Sequence, residues 1–237
     1  MNREQYTAEL AHYGTALAAA ATELSRPVPS CPDWTVADLV WHTCEVFYFW
    51  RLQLSGLVSG PENYLEPKRP AEEELLDRYA DNLRHLVEAV RRADPSKPVW
   101  TWAADKTAGF VQRRMAHEAA VHAWDALLAA GRDEPIGRDL AVDGIDEFLT
   151  HFLHDSPAED LGGSVHLHAT DGPGEWTIAH DGDGWQVTRE HGKCTAAARA
   201  SASDLLLLLW QRRDVSAVET FGDPAVLARL LKSAHTN

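Results

Sequence analysis

Cysteine is scarce in this chain, and so are long apolar runs and positive charge. Three cysteines stand in 237 residues. An odd number at wide spacing builds no disulfide framework, so Cys31, Cys44 and Cys194 read as reduced thiols that pack rather than react. No stretch approaches the ~20 consecutive apolar residues that a membrane span requires. The opening Met1-Asn2-Arg3-Glu4-Gln5 is polar and has no apolar signal-peptide core, so a cytoplasmic location is expected. Basic residues number 22 against 36 acidic ones, a formal net charge of −14. That balance repels phosphate backbones and anionic lipid surfaces, and it excludes nucleic acid and membrane as expected partners. No internal repeat is visible.

Hydrophobic residues make up 45% of the chain, enough for a globular core, and the length suits one large domain or two small ones. Histidines number 12, so a single histidine carries little information and a constellation is needed. The stretch Arg113-Arg114-Met115-Ala116-His117-Glu118-Ala119-Ala120-Val121-His122-Ala123-Trp124-Asp125-Ala126 begins one. It reads as the middle of a long helix, free of Gly and Pro from Phe110 to Ala130 and stopped by Gly131. Glu118 and His122 are one helical turn apart, about 40° around the axis. Their Cβ atoms should be roughly 6 Å apart, close enough for an acid and an imidazole to share one metal ion. The same spacing also describes a solvated ion pair or a core histidine. His117-Glu118 starts like the metalloprotease motif His-Glu-x-x-His, but the fifth position is Val121. His117 therefore points about 140° away from His122. Glu118 reads as a ligand, not a general base, and a third ligand must come from another helix. Asp125, on or beside the same stripe, reads as a supporting residue.

In chain order, the first helical pattern runs from about Arg3 to Leu24, with Tyr6, Leu10, Tyr13 and Leu17 on its buried face. Thr35 followed by Asp38 has capping-box spacing, so a second helix should start at Val36 and run to about Leu57. Leu39, His42, Val46, Phe49 and Phe47 or Trp50 make its expected inner face. His42 would then point into the bundle, either bonded to a backbone or carboxylate group or meeting Glu118 and His122 at a metal. A third helix covers about Ala71 to Ala93, and His85 falls off its apolar stripe. Four helices of this kind suggest an up-and-down bundle or a relative with a crossover. Asp139 to His154 is one more helical segment, and Ser156 to Gly163 reads as a linker. Strand patterns follow at Val165–Ala169, Gly174–Ala179, Trp185–Arg189 and Cys194–Ala200, with a hairpin turn at Asp181-Gly182-Asp183-Gly184. Asp204 to Arg212 reads as an apolar helix capped by Ser203, and Pro224 to Ala234 as the last helix.

The segments Cys31-Pro32-Asp33-Trp34-Thr35-Val36-Ala37-Asp38-Leu39-Val40-Trp41-His42 and His117 through Ala126 resemble the two signatures of the mycothiol-dependent maleylpyruvate isomerase family. That family belongs to the DinB-like metal-binding four-helix bundles. The tail from Ala202 to Arg213, with Phe221-Gly222-Asp223-Pro224, is similar to its sterol-carrier-like C-terminal domain. The resemblance spans nearly the whole chain. It implies an α+β two-domain protein, with a DinB-like bundle over residues 1–155 and a small α+β domain over 156–237. It implies a zinc ion held by His42, Glu118 and His122. The family pattern has Gly-Arg after the tryptophan, where this chain has Gln211-Arg212-Arg213. Arg213 and Arg212 are thus both candidates for gripping a substrate carboxylate.

Two imidazoles and one carboxylate leave zinc an open fourth position, where a bound thiol or water loses its proton more readily. The same donor set also accepts nickel, iron or manganese. The resemblance implies mycothiol as the thiol, adding as thiolate to a conjugated double bond that rotates and is restored as the trans isomer. The expected protein is an isomerase or thiol S-transferase whose partners are a small-molecule substrate and a low-molecular-weight thiol, present as a monomer or weak homodimer. A zinc hydrolase is a less favoured option. A competing reading, a non-catalytic metal-containing protein that binds a small apolar ligand, rests on the run Leu205 to Trp210.

Overall fold

The computed structural model describes residues 1–153, 161–180 and 184–233. They fall into two compact units, Met1–Glu134 and Pro135–Asn237. Among the described residues no helix is long and apolar enough to cross a membrane.

The first unit holds helix α1 (Arg3–Ala20), a short hairpin of β1 (Pro27–Val28) and β2 (Cys31–Thr35), and helices α2 (Val36–Ser55), α3 (Glu72–Arg92) and α4 (Ala108–Ala129). α2 starts where its capping box predicts. Thr35 Oγ1 accepts from the Asp38 amide at 3.3 Å, and the Asp38 carboxylate accepts from the Thr35 amide at 2.9 Å. α1 ends earlier than the expected Leu24, because the chain after it turns back to serve α2. The carbonyls of Leu24 and Arg26 accept from the Ala37 and Val36 amides, each at 2.8 Å, donors that the helix cannot satisfy itself.

α1 packs mainly on α4 and α3, and α2 on α3 and α4. α2 and α3 are neighbours, but α1 stands across the bundle from α2 and α3 across from α4, which selects the crossover arrangement over the simple up-and-down one. Gly14 lets α3 come close to α1. A Cβ there would lie 2.5 Å from Leu83 Cδ1, and Tyr79 Oη donates to the Gly14 carbonyl at 2.9 Å. α4 is capped by Thr107, ends ahead of Gly131 at φ +81°, and buries almost every residue along its length.

The inner face of α2 differs from the expected one. Leu39, Phe47 and Trp50 are buried as anticipated, but Val40, Thr43 and Leu54 join them, while Val46 and Phe49 are half-buried. α2 lies against two helices at once, so its apolar stripe is centred between them. Aromatics on both sides of that stripe hide its phase in the sequence. His42 consequently stands at the edge of the buried face.

The second unit begins earlier than the expected residue 156. Helix α5 (Arg138–Glu147) packs against α6 (Ala202–Leu209), which ties it to the later residues. Periodicity shows that this segment is a helix but not which neighbour its apolar side meets. α5 passes into a π-helical turn, Phe148–Phe152, where the Leu153 amide donates to the Phe148 carbonyl at 3.0 Å. The turn gathers the Phe148 and Phe152 rings around Trp210, at centroid distances of 5.1 and 4.8 Å.

A five-stranded sheet follows in the order β5 (Trp185–Thr188), β4 (Glu175–His180), β3 (Ser164–Ala169), β6 (Ala196–Ala200), β7 (Glu219–Gly222). β3 and β6 are parallel and the other pairs antiparallel. α6 and α7 (Pro224–Ser233) pack against β3 and β6, burying Val165, Leu167, Ala196 and Ala198. Of the expected linker, Ser156–Asp160 lie outside the described residues, as do His154, Asp181–Asp183 of the expected turn, and Ala234.

α6 starts earlier than expected, capped by Ser201, and ends at Leu209. Ser203 is instead buried, accepting from the Ile136 amide at 2.9 Å. Leu205–Leu209 are all buried, so this part of the apolar run is a core helix. β7 escaped the sequence reading because all four of its residues are exposed and show no alternation. Its end requires glycine. Gly222 has φ +76°, and a Cβ would lie 2.1 Å from the Thr195 carbonyl oxygen.

The capping box carries a testable consequence. Hydrogen bonding from the Thr35 hydroxyl, then from Arg69, holds the Asp38 carboxyl at about 2. That is below its unfolded value of ~3.9, so the stabilisation is complete above that value and is lost as pH falls toward 2. Asp38→Asn should cost about 1 kcal/mol at pH 7, discounted for the partial exposure of the pair. In urea titrations the gap between the two proteins should close between pH 4 and pH 2.

Candidate metal centre

α4 supplies two neighbours on one stripe, Glu118 and His122, and α2 brings His42 opposite them. Glu118 Oε1 lies 3.2 Å from His122 Nε2 and 3.5 Å from His42 Nε2. The three donor atoms all fall within 4.8 Å of one another. These separations sit at or beyond the long end for hydrogen bonds. They match the edge of a tetrahedron around a zinc ion, where ligand atoms stand about 3.3 Å apart. The two imidazole planes are crossed at 78° with centroids 5.1 Å apart, so the rings do not stack on each other. The donor set and its spacing therefore fit a metal ion.

Around this triad Glu118 and His122 are each held by a neighbouring side chain. His122 Nδ1 meets Asp125 Oδ2 at 2.9 Å, and Ser30 Oγ donates to Asp125 Oδ1 at 2.5 Å. A carboxylate at Nδ1 leaves the Nε2 lone pair free for a metal, the usual carboxylate–histidine–metal relay. Asp125 is completely buried, and Ser30 satisfies its other oxygen. On the far side of Glu118, Arg114 Nη2 donates to Oε2 at 3.0 Å, which turns Oε1 toward the histidines. Trp34, from β2, lies beside both rings at centroid distances of 4.9 Å to His42 and 6.4 Å to His122. The His42 side chain remains 39% exposed, so the triad is open on that side.

The electrostatics follow from burial against charge. Burial pushes the Glu118 carboxyl up, yet His122, His42 and Arg114 together hold it well below its ordinary value. Burial pushes His122 down, but the Glu118 and Asp125 carboxylates outweigh it and raise the imidazole to about 9. With no cation between them, His122 keeps a proton at neutral pH, and an incoming metal has to displace it.

The structure brings together His42, Glu118 and His122. Arg212 and Arg213 belong to the second unit. There the Arg213 Nε donates to Asp204 Oδ1 at 2.9 Å, and Arg212 Nη1 donates to the Trp210 carbonyl at 2.9 Å. Sequence reasoning missed Arg114, although its four-residue offset from Glu118 was a readable signal. It also missed Ser30, which sits in a turn with no motif of its own, and the placement of Trp34 beside the rings.

A helical bundle with a candidate metal centre, followed by a small α+β unit, is the class of protein that these features define. A family model described as the mycothiol maleylpyruvate isomerase N-terminal domain matches residues 5–127, and one described as the MDMPI C-terminal domain matches residues 139–229. The chain belongs to the mycothiol maleylpyruvate isomerase family. Among solved structures, the crystal structure of a mycothiol-dependent maleylpyruvate isomerase superposes with a TM-score of 0.66 at 12% identity, covering 93% of each chain. A variant of that enzyme with a histidine replaced by alanine superposes with a TM-score of 0.65 at 11% identity, again covering 93% of each. The two share this chain's fold. No curated protein matches the sequence.

Asp125→Asn keeps the volume of the buried side chain while removing the carboxylate that fixes the His122 ring. The variant should remain folded and bind zinc about 10- to 100-fold more weakly, measured by competition with a chromogenic chelator. Unchanged affinity would mean that Asp125 serves packing alone.

Proposed function

We propose that this protein is a metal- and thiol-dependent enzyme of the maleylpyruvate isomerase type. It acts on an unsaturated or electrophilic small molecule, by cis–trans isomerisation or by S-transfer, with mycothiol as the thiol. The observation that carries the reading is the convergence of two imidazoles and one carboxylate from two helices, open to solvent beside His42. Such a three-ligand set leaves one coordination position unfilled by protein, the arrangement of catalytic rather than structural zinc. A zinc ion held by His42, Glu118 and His122 would supply positive charge that favours the thiolate form of a thiol in its open position.

The chain's own residues have definite tasks in this reading. Asp125 keeps the His122 ring in the tautomer that offers Nε2 to the metal. Arg114 balances the Glu118 charge and leaves one oxygen directed at the histidines. Trp34 walls one side of the pair of rings and limits water there. Reversible addition of a thiolate to the substrate's conjugated double bond makes that bond single, permits rotation, and restores it in the trans form on departure.

Two observations support Arg212 over Arg213 as the residue that grips a substrate carboxylate. Gln211 stands at φ +57° after α6, the left-handed position that glycine ordinarily takes. It therefore corresponds to the glycine of the family's Gly-Arg pair, and Arg212 to its arginine. Arg213 already has a carboxylate, that of Asp204.

Elemental analysis of tag-free wild type beside His42→Ala and Glu118→Ala tests the metal site. Each variant should lose one ion per chain relative to wild type and lose thiol-dependent turnover of maleylpyruvate by on the order of 100-fold or more. A metal content equal to that of wild type in both variants, or turnover independent of thiol, overturns the proposal. Product analysis separates isomerisation, which releases the thiol, from transfer, which keeps it. Arg212→Ala should lower kcat/KM for a dicarboxylate by roughly 10- to 100-fold, and Arg213→Ala much less.

A further inference from the structure

A second cluster of metal-ligand side chains lies on the sheet of the C-terminal unit, outside the centre described above. His166 and His168 are two apart on β3 and so share a face, opposite the core-facing Val165 and Leu167. On the antiparallel neighbour β4, Thr177 pairs with His166 and Glu175 with His168, which places the Glu175 carboxylate on that same face. His191 comes in from the segment after β5. Glu175 Oε2 is 2.9 Å from His191 Nδ1 and 3.5 Å from His166 Nε2, while Oε1 is 3.0 Å from His168 Nδ1. The donor atoms of His166, Glu175 and His191 all lie within 4.8 Å of one another. The His166 and His191 rings are crossed at 88° with centroids 4.9 Å apart.

One feature of this cluster points to a ligand that the protein itself does not provide. His166 is 7% exposed, and its Nε2 is buried with no hydrogen-bond partner. Leaving a buried polar atom unsatisfied costs about 1–3 kcal/mol. Its 3.5 Å separation from Glu175 Oε2 is an ion-pair distance, too long for a good hydrogen bond. A cation between them would satisfy both atoms at once.

We propose that His166 Nε2, Glu175 Oε2 and His191 Nδ1 form a second binding site for a divalent transition-metal ion. His168, holding Oε1, orients the Glu175 carboxylate so that Oε2 faces the two ligating rings, as Arg114 does for Glu118 in the first unit. Two imidazoles and a carboxylate select zinc, nickel, cobalt or copper over calcium and magnesium, which prefer all-oxygen shells. His191 is largely exposed, so the ion is reached from solvent and keeps an open position. Cys194 lies near this face, its Sγ 3.9 Å from Thr177 Oγ1.

The test is a count of bound ions in the full-length, tag-free protein, saturated with zinc and dialysed. His191→Ala and Glu175→Gln are the informative variants, because His191 is exposed and the Gln change is nearly isosteric. His42→Ala is counted beside them. Each of the first two should retain one zinc fewer per chain than wild type, and combining either with His42→Ala should remove two. Loss of an ion in His191→Ala and Glu175→Gln with retention of it in His42→Ala supports the second site even if the first centre binds nothing. A zinc content equal to wild type in both His191→Ala and Glu175→Gln overturns it, whatever His42→Ala shows.

Discussion

The first unit depends on one carboxylate mostly withdrawn from solvent, its side chain 16% exposed. Glu118 sits mid-way along the most buried helix of the bundle, where an isolated negative charge would be expelled or neutralised. It stays ionised because Arg114 holds one oxygen and two imidazoles face the other. An ion pair of this kind adds little net stability, since removing the charges from water offsets their attraction. Its consequence is geometric. With one oxygen taken by the arginine, the other has a fixed direction, and the His42 and His122 rings converge on it. That convergence of one carboxylate and two imidazoles is what makes the site a candidate for holding a cation.

The rest of the bundle serves that placement. His42 can reach Glu118 only if α2 lies beside α4, and the crossover arrangement puts it there. The hairpin between α1 and α2 carries the chain across the bundle, delivers Trp34 to the rings and Ser30 to Asp125, and ends in the Thr35 cap that starts α2. Small residues along α4 allow the other helices to approach closely. The accessible edge at His42 results from α2 sharing its burial between two neighbours rather than facing one.

Much of this was legible from residue patterns. The start of α2 followed from Thr35 and Asp38, the extent of α4 from its lack of helix breakers, and the Glu118–His122 pairing from a one-turn spacing. β3 was read from alternation, β4 and β5 as segments flanking a hairpin turn, and β6 as one further strand. β7 was not read, because an exposed edge strand carries no burial pattern. The π turn at Phe148–Phe152 was also hidden, since it arises from the packing of two rings on Trp210 rather than from a local signal. α5 was read correctly as a helix but assigned to the wrong unit, because the partner of an apolar face is not written in that face.

The sequence by itself determined the elements with local causes: helix starts set by capping side chains, stops set by glycine and proline, and the pairing of Glu118 with His122 one turn apart. It also determined the family, through two signatures whose residues recur in order along the chain. Only the tertiary structure decided which helices are neighbours, that His42 meets Glu118 from the rim of α2, and that Ser30 and Arg114 fix the ligands. Only the structure brought His166, Glu175 and His191 together, from two strands and a following segment. Capping and periodicity act over one or two turns, within reach of sequence patterns. Convergence of side chains from separate elements depends on packing across the whole unit, which no local pattern encodes.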